Sequence, residues 1–148
     1  MVHALDEIKR TLKPNGILID LRPVEDNWPV EVASQQEVRI AGRLTDMPIG
    51  KADDEAAFHA MRDVESRGWY TKEREEEFAF FYYWDMPSEM KEFIDTEWGD
   101  FEKMEENIYR ATQSLWSRAN ADAKVRVRVK MLITRWRKQN KLILEAVP

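Results

Sequence analysis

The chain of 148 residues contains no cysteine, which excludes a disulfide framework, a cysteine nucleophile and any thiolate metal site. Its imidazoles are His3 and His59 alone, too far apart in sequence to suggest a histidine metal centre. Glycine is scarce and scattered at positions 16, 42, 50, 68 and 99, so no phosphate-cradling loop or dinucleotide fingerprint can be assembled. A serine nucleophile elbow, an Asp-x-Asp-x-Asp-Gly loop and a His-Glu-x-x-His pair are all missing. No apolar run approaches the roughly 18 residues a spanning helix needs, and the first residues carry acids rather than a basic then apolar leader. The expected location is therefore cytoplasmic, without membrane association.

What is present is a globular composition, 43% hydrophobic and 34% charged, of a size that fits one domain over residues 1–148. The net charge of −5 is unevenly spread. Residues 51–106 carry 18 acidic and 7 basic side chains, whereas residues 124–141 hold eight lysines or arginines and no acid. This distribution argues against a nucleic-acid binder, which would be basic over a broad face. The basic segment suits either a phosphate or acidic partner, or a strand face whose charge prevents edge pairing and meets the acidic middle of the same fold.

The most informative stretch is residues 4–21. Leu5, Ile8 and Leu12 recur at helical spacing with acids early and bases late, which favours one short helix aligned with its dipole. Pro14 ends it, Asn15-Gly16 supplies a reversal, and Ile17-Leu18-Ile19-Asp20-Leu21 predicts a strand covered on both faces, as in a parallel sheet. Helix, Leu12-Lys13-Pro14-Asn15-Gly16 and Ile17-Leu18 together resemble the helix, "LKPGG" turn and fifth strand of class I S-adenosylmethionine-dependent methyltransferases.

Beyond that stretch, residues 22–29 read as a loop and residues 30–44 as an antiparallel hairpin. A helix opens at Lys51 with Ala56, Ala57, Phe58, Ala60, Met61 and Val64 as its buried stripe, and Gly68 ends it. Residues 69–85 predict a strand because of the aromatic run Phe78 to Trp84, with packing on both of its sides as the main role of the rings. Ser88 opens a further helix, another is expected over about 101–120, and Lys124 to Trp136 predicts a long strand with Val125, Val127 and Val129 inward. The order of elements, with the resemblance, implies an α/β class protein, α+β in this short form: a partial Rossmann-like methyltransferase sheet with helices and a hairpin insertion.

The resemblance further implies a substrate-side role. The family's cofactor is S-adenosylmethionine, but its glycine-rich donor loop and ribose-holding acid have no counterpart in this chain, so no cofactor-binding residue is assigned and no methyl transfer is expected from this chain alone. It also implies that the apolar edge of strand 17–21 is covered by a second copy, by the 30–44 hairpin, or by a partner subunit. Asp20 and Arg22 at the strand end, with Trp28, Trp69 and Tyr70 flanked by loops, are the candidate substrate-binding residues. Each has a plainer reading: Asp20 as a loop cap, Arg22 paired with Glu25 or Asp26, the aromatics as packing. The run Glu73 to Glu77 reads as a solvated charge face. A small-ligand-binding or protein-interaction α+β domain is the competing reading, with a pocket lined by Trp69, Tyr70 and alternate rings of 78–84.

Overall fold

The computed structural model describes residues 1–140. Its elements are helix α1 (Val2–Thr11), strands β1 (Ile17–Pro23), β2 (Pro29–Ala33), β3 (Val38–Arg43) and β4 (Thr45–Asp46), helix α2 (Pro48–Ser66), strand β5 (Tyr70–Trp84), helix α3 (Pro87–Glu97), strand β6 (Glu102–Lys103), helix α4 (Glu106–Arg118) and strand β7 (Lys124–Lys138). This is an α+β architecture. Five strands form one sheet in the order β1-β7-β2-β3, with β5 also on β7, and β4 pairs with β6 separately. Pairing is antiparallel between β2 and β3, β2 and β7, and β4 and β6. No helix among the described residues is long and apolar enough to cross a membrane.

Two compact units are distinguished, one of residues 1–22, 55–77 and 132–140, the other of residues 23–54 and 78–131. In the first, Leu5, Ala60, Met61, Val64, Tyr70 and Trp136 form the core, with Leu12, Leu18 and Trp69 against it. Pro14 and Asn15 work as their types require: Asn15 sits at φ 58° in the left-handed region, and the chain reverses into β1. The end of α1 is closed from far along the chain, where the Lys138 ammonium donates to the carbonyls of Lys9 (2.5 Å) and Leu12 (2.6 Å). A cation at a helix carboxyl end satisfies orphan carbonyls and complements the dipole. Gly68, at φ 69°, ends α2, and the Trp69 N–H returns to Val64 O at 3.0 Å.

In the second unit, Val30 and Val32 of β2 and Val125, Val127 and Val129 of β7 alternate inward and join Trp28, Leu44, Met90, Ile94, Met104 and Ala123 in one core. Their register is fixed by cross-strand partners, Val30 opposite Val127 and Val32 opposite Val125. Helices α3 and α4 supply Met90, Ile94, Ile108 and Leu115 to it. Glu31, on β2 between those valines, is 3% exposed and lies against Arg126 at 2.8 Å and Arg128 at 3.6 Å. Buried charge is tolerated when paired and hydrogen-bonded, and the Arg126 guanidinium also donates to Tyr83 Oη and stacks over Phe81.

Several expectations are corrected. Strand 17–21 is not covered on both faces: Leu18, Asp20 and Arg22 are half-buried while Ile17, Ile19 and Leu21 are exposed. The aromatic strand is also open, with Phe78, Phe80, Tyr82 and Tyr83 between 38% and 50% exposed. The helix expected over 101–120 is shorter, because residues 102–103 pair as β6 before α4 begins at Glu106. The basic segment meets acids of the same fold: Lys124 pairs with Asp85, Arg126 and Arg128 with Glu31, Lys130 with Asp26, and Arg135 and Arg137 with Glu73. Lys141 lies outside the described residues.

Candidate functional site

The sequence-predicted site residues are not brought together in one pocket. Trp28 is buried in the second unit's core, its indole N–H donating to Val24 O at 2.8 Å and its ring edge-on to Trp98. Tyr70 is buried in the first unit's core, where its hydroxyl donates to Leu5 O at 2.9 Å. Burial and the nearby Asp6 charge raise its pKa, so it is no acid or base near neutral pH. Trp69 is partly exposed, with Lys9 and Arg67 over its ring at 4.9 and 5.3 Å. Asp20 and Arg22 turn inward from β1 and pair with each other at 3.3 Å, and the guanidinium lies over Phe58 at 4.4 Å. Arg22 therefore does not take Glu25 or Asp26 as its partner, because i and i+2 on a strand share a face whereas Glu25 lies beyond the strand end.

Two other features stand out. The first is the exposed row of β1. Ile17, Ile19 and Leu21 are 41%, 52% and 54% exposed, and among the described residues β7 is the strand's sole sheet neighbour. A flat aliphatic edge of this kind is what natural sheets blunt or cover.

The second is an acidic cluster within the second unit, made of Glu25 from the loop after β1, Asp46 from β4 and Glu102 from β6. Asp46 and Glu102 are cross-strand partners in the β4–β6 pair, so backbone pairing sets their proximity. Asn27, in the left-handed region at φ 45°, orients Asp46 by a reciprocal pair of bonds. Its N–H donates to Asp46 Oδ1 at 2.9 Å, and the Asp46 N–H donates to Asn27 Oδ1 at 3.2 Å. Glu25 is held by its own N–H, which donates to Asp54 Oδ2 at 2.7 Å. Its carboxyl lies so close to α2 that a Cβ at Gly50 would stand 2.9 Å from it, so a side chain there would displace the carboxyl.

One oxygen from each of the three residues lies within 4.8 Å of the others. Glu102 is 2% exposed, and neither of its oxygens, nor Glu25 Oε2, has a hydrogen-bond partner. Burial is the largest influence on Glu102, followed by the facing Glu25 carboxyl and the charges of Asp46 and Asp54, and together they push its pKa up to about 10. Glu25 is also raised, chiefly by burial. With these groups facing one another, either a proton or a cation must sit among them, since like charges at this range cannot all be ionised uncompensated.

Sequence reasoning missed this cluster. Its members are separated by 21 and 56 positions, and no ligand spacing links them; the one local signal is the pairing potential of two short extended pieces, at 45–46 and 102–103, the second of which falls inside the helix expected over about 101–120. Comparison with protein-family models, with curated proteins and with solved structures gave no match.

Proposed function

We propose that this chain is an α+β interaction domain that works by associating with a second copy of itself through β1. The observation that carries the reading is the row Ile17, Ile19 and Leu21, exposed on a strand that among the described residues has β7 as its one sheet neighbour. The row is self-complementary. In a two-fold antiparallel pairing centred on Ile19, Ile17 of one copy faces Leu21 of the other and Ile19 faces itself, giving a continuous aliphatic ladder. Such a ladder also pairs the edge amides and carbonyls of both copies. Sedimentation velocity over a concentration series tests it: a dimer is expected that Ile19→Lys converts to monomer with an unchanged far-ultraviolet spectrum. A wild-type monomer at about 100 μM, well above the ~1 μM range of specific pairs, refutes the reading.

A second reading is kinship with the substrate-side portion of an S-adenosylmethionine-dependent methyltransferase and its Rossmann-like sheet. The helix, Lys13-Pro14-Asn15-Gly16 turn and strand at residues 2–23 support it, occurring in the order the resemblance implies. On this reading the chain itself binds no methyl donor, and calorimetric titration with S-adenosylmethionine is expected to give no heat of binding.

A further inference from the structure

We propose that Glu25, Asp46 and Glu102 form a binding site for one hard divalent cation of the size of Ca²⁺ or Mn²⁺. Three oxygens mutually within 4.8 Å suit this class of ion. Ligands on opposite sides of a centre are separated by twice the metal–oxygen distance, and for Ca²⁺, at about 2.3–2.6 Å, that is about 4.6–5.2 Å. The donor set is oxygen alone, which selects against the nitrogen- and sulfur-seeking ions. The smaller Mg²⁺ requires oxygens at about 2.0–2.1 Å and gives up its water reluctantly, so a buried, protein-supplied set favours the larger ions.

Glu102 provides the independent observation. Its side chain is almost wholly removed from solvent and aimed at the cluster, with both oxygens lacking any donor. Among the described residues no lysine, arginine or histidine pairs with Glu25, Asp46 or Glu102, although the same unit matches its other deeply buried carboxylate, Glu31, with two arginines. The unit thus neutralises one buried acid with protein cations and leaves the other group of acids open on the side where they converge. Support around the ligands is in place: Asn27 fixes Asp46, the Asp54 carboxylate fixes the Glu25 backbone, and Gly50 makes room for the Glu25 carboxyl. The site would tie the loop after β1 to the β4–β6 pair, three segments that otherwise meet through few backbone bonds.

The test uses the full chain, stripped with chelator and returned to neutral buffer, titrated with MnCl₂ and followed by loss of the free Mn²⁺ electron paramagnetic resonance signal, with CaCl₂ competition as a second arm. One site per chain is expected with a dissociation constant near ~10⁻⁵ M or tighter, displaced by Ca²⁺, and a melting temperature that rises on loading. Glu102→Gln and Glu25→Gln, each isosteric, are expected to weaken binding at least about tenfold, the loss of one charge-bearing ligand, while Glu89→Gln on α3 leaves it unchanged. Near-ultraviolet circular dichroism verifies that the variants fold, and Asp46→Asn gives a third readout if either does not. Absence of saturable binding up to millimolar Mn²⁺ and Ca²⁺, or binding that survives the Glu25 and Glu102 substitutions undiminished, overturns the proposal.

Discussion

Replacing Glu102 by glutamine should change how the stability of this protein depends on pH, and the size of that change follows from the cluster. The Glu102 carboxyl is raised from 4.5 to about 10 in the folded chain, chiefly by burial. In the window between those values the unfolded chain is ionised at this position and the folded chain keeps the proton. The folded state therefore binds the extra proton, and unfolding free energy falls as pH rises, by up to about 1.4 kcal/mol per pH unit. Stability from this group is complete below about pH 4.5 and is lost progressively as pH climbs towards 10. Between about pH 5.5 and 7.5 the loss amounts to about 3 kcal/mol. With a urea slope of about 2 kcal/mol/M, as expected for a chain of this length, the midpoint should fall by about 1–2 M. Other carboxylates titrate as well, so the quantity to read is the difference between wild type and Glu102→Gln in chelator-containing buffer. Glutamine preserves the shape and keeps an N–H to offer Glu25, and it carries no proton to lose. The variant should match wild type below about pH 4.5 and exceed it increasingly above, the gap widening by about 3 kcal/mol between pH 5.5 and 7.5. Parallel pH profiles for the two proteins would refute the argument, because they would mean that Glu102 is ionised in the fold or that water reaches it freely.

Two further outcomes follow from the second unit. Glu31→Ala leaves the Arg126 and Arg128 guanidiniums without their shared carboxylate inside a half-buried network, and a loss of about 2–4 kcal/mol in denaturant titration is expected, more than a surface ion pair is worth. Gly42→Ala places a Cβ 2.4 Å from Ile108 Cδ1; the cost should be about 1–3 kcal/mol, and Ile108→Val introduced beside it should recover part of that loss, as calorimetric melting would reveal.

Residues 2–23 show how far local chemistry reaches. Leu5 and Leu12 at helical spacing, Pro14, Asn15 and Gly16 dictate helix, reversal and strand by short-range sterics, and the fold follows them. The strict alternation of Val125, Val127 and Val129 likewise announces their burial. Where period gives out, so does legibility. Apolarity from Ile17 to Leu21, broken only by Asp20, looks like a strand with two covered faces, yet the fold covers one, because which face meets a helix is decided by partners far away. Along β7 the buried positions change from odd to even between Val129 and Leu132, and Met131-Leu132-Ile133, apolar on both parities, conceals that change. The rings at 78–84 mislead for the same reason: their propensity specifies a strand, while the supply of covering elements sets their exposure. The carboxylate cluster was invisible because its three members meet only through a two-residue ladder, too short to leave a pattern.

The Lys138 ammonium that closes α1 has a consequence for the order of events in the making of this protein. A helix of ten residues is marginal in water by itself, and the group that seals its far end is 126 to 129 positions downstream. During synthesis α1 thus leaves the ribosome well before its cap and settles late, waiting until β7 has been made. Such distant closure makes for slow folding, and a nascent chain halted before β7 would carry its opening helix frayed, a natural handle for chaperones and proteases.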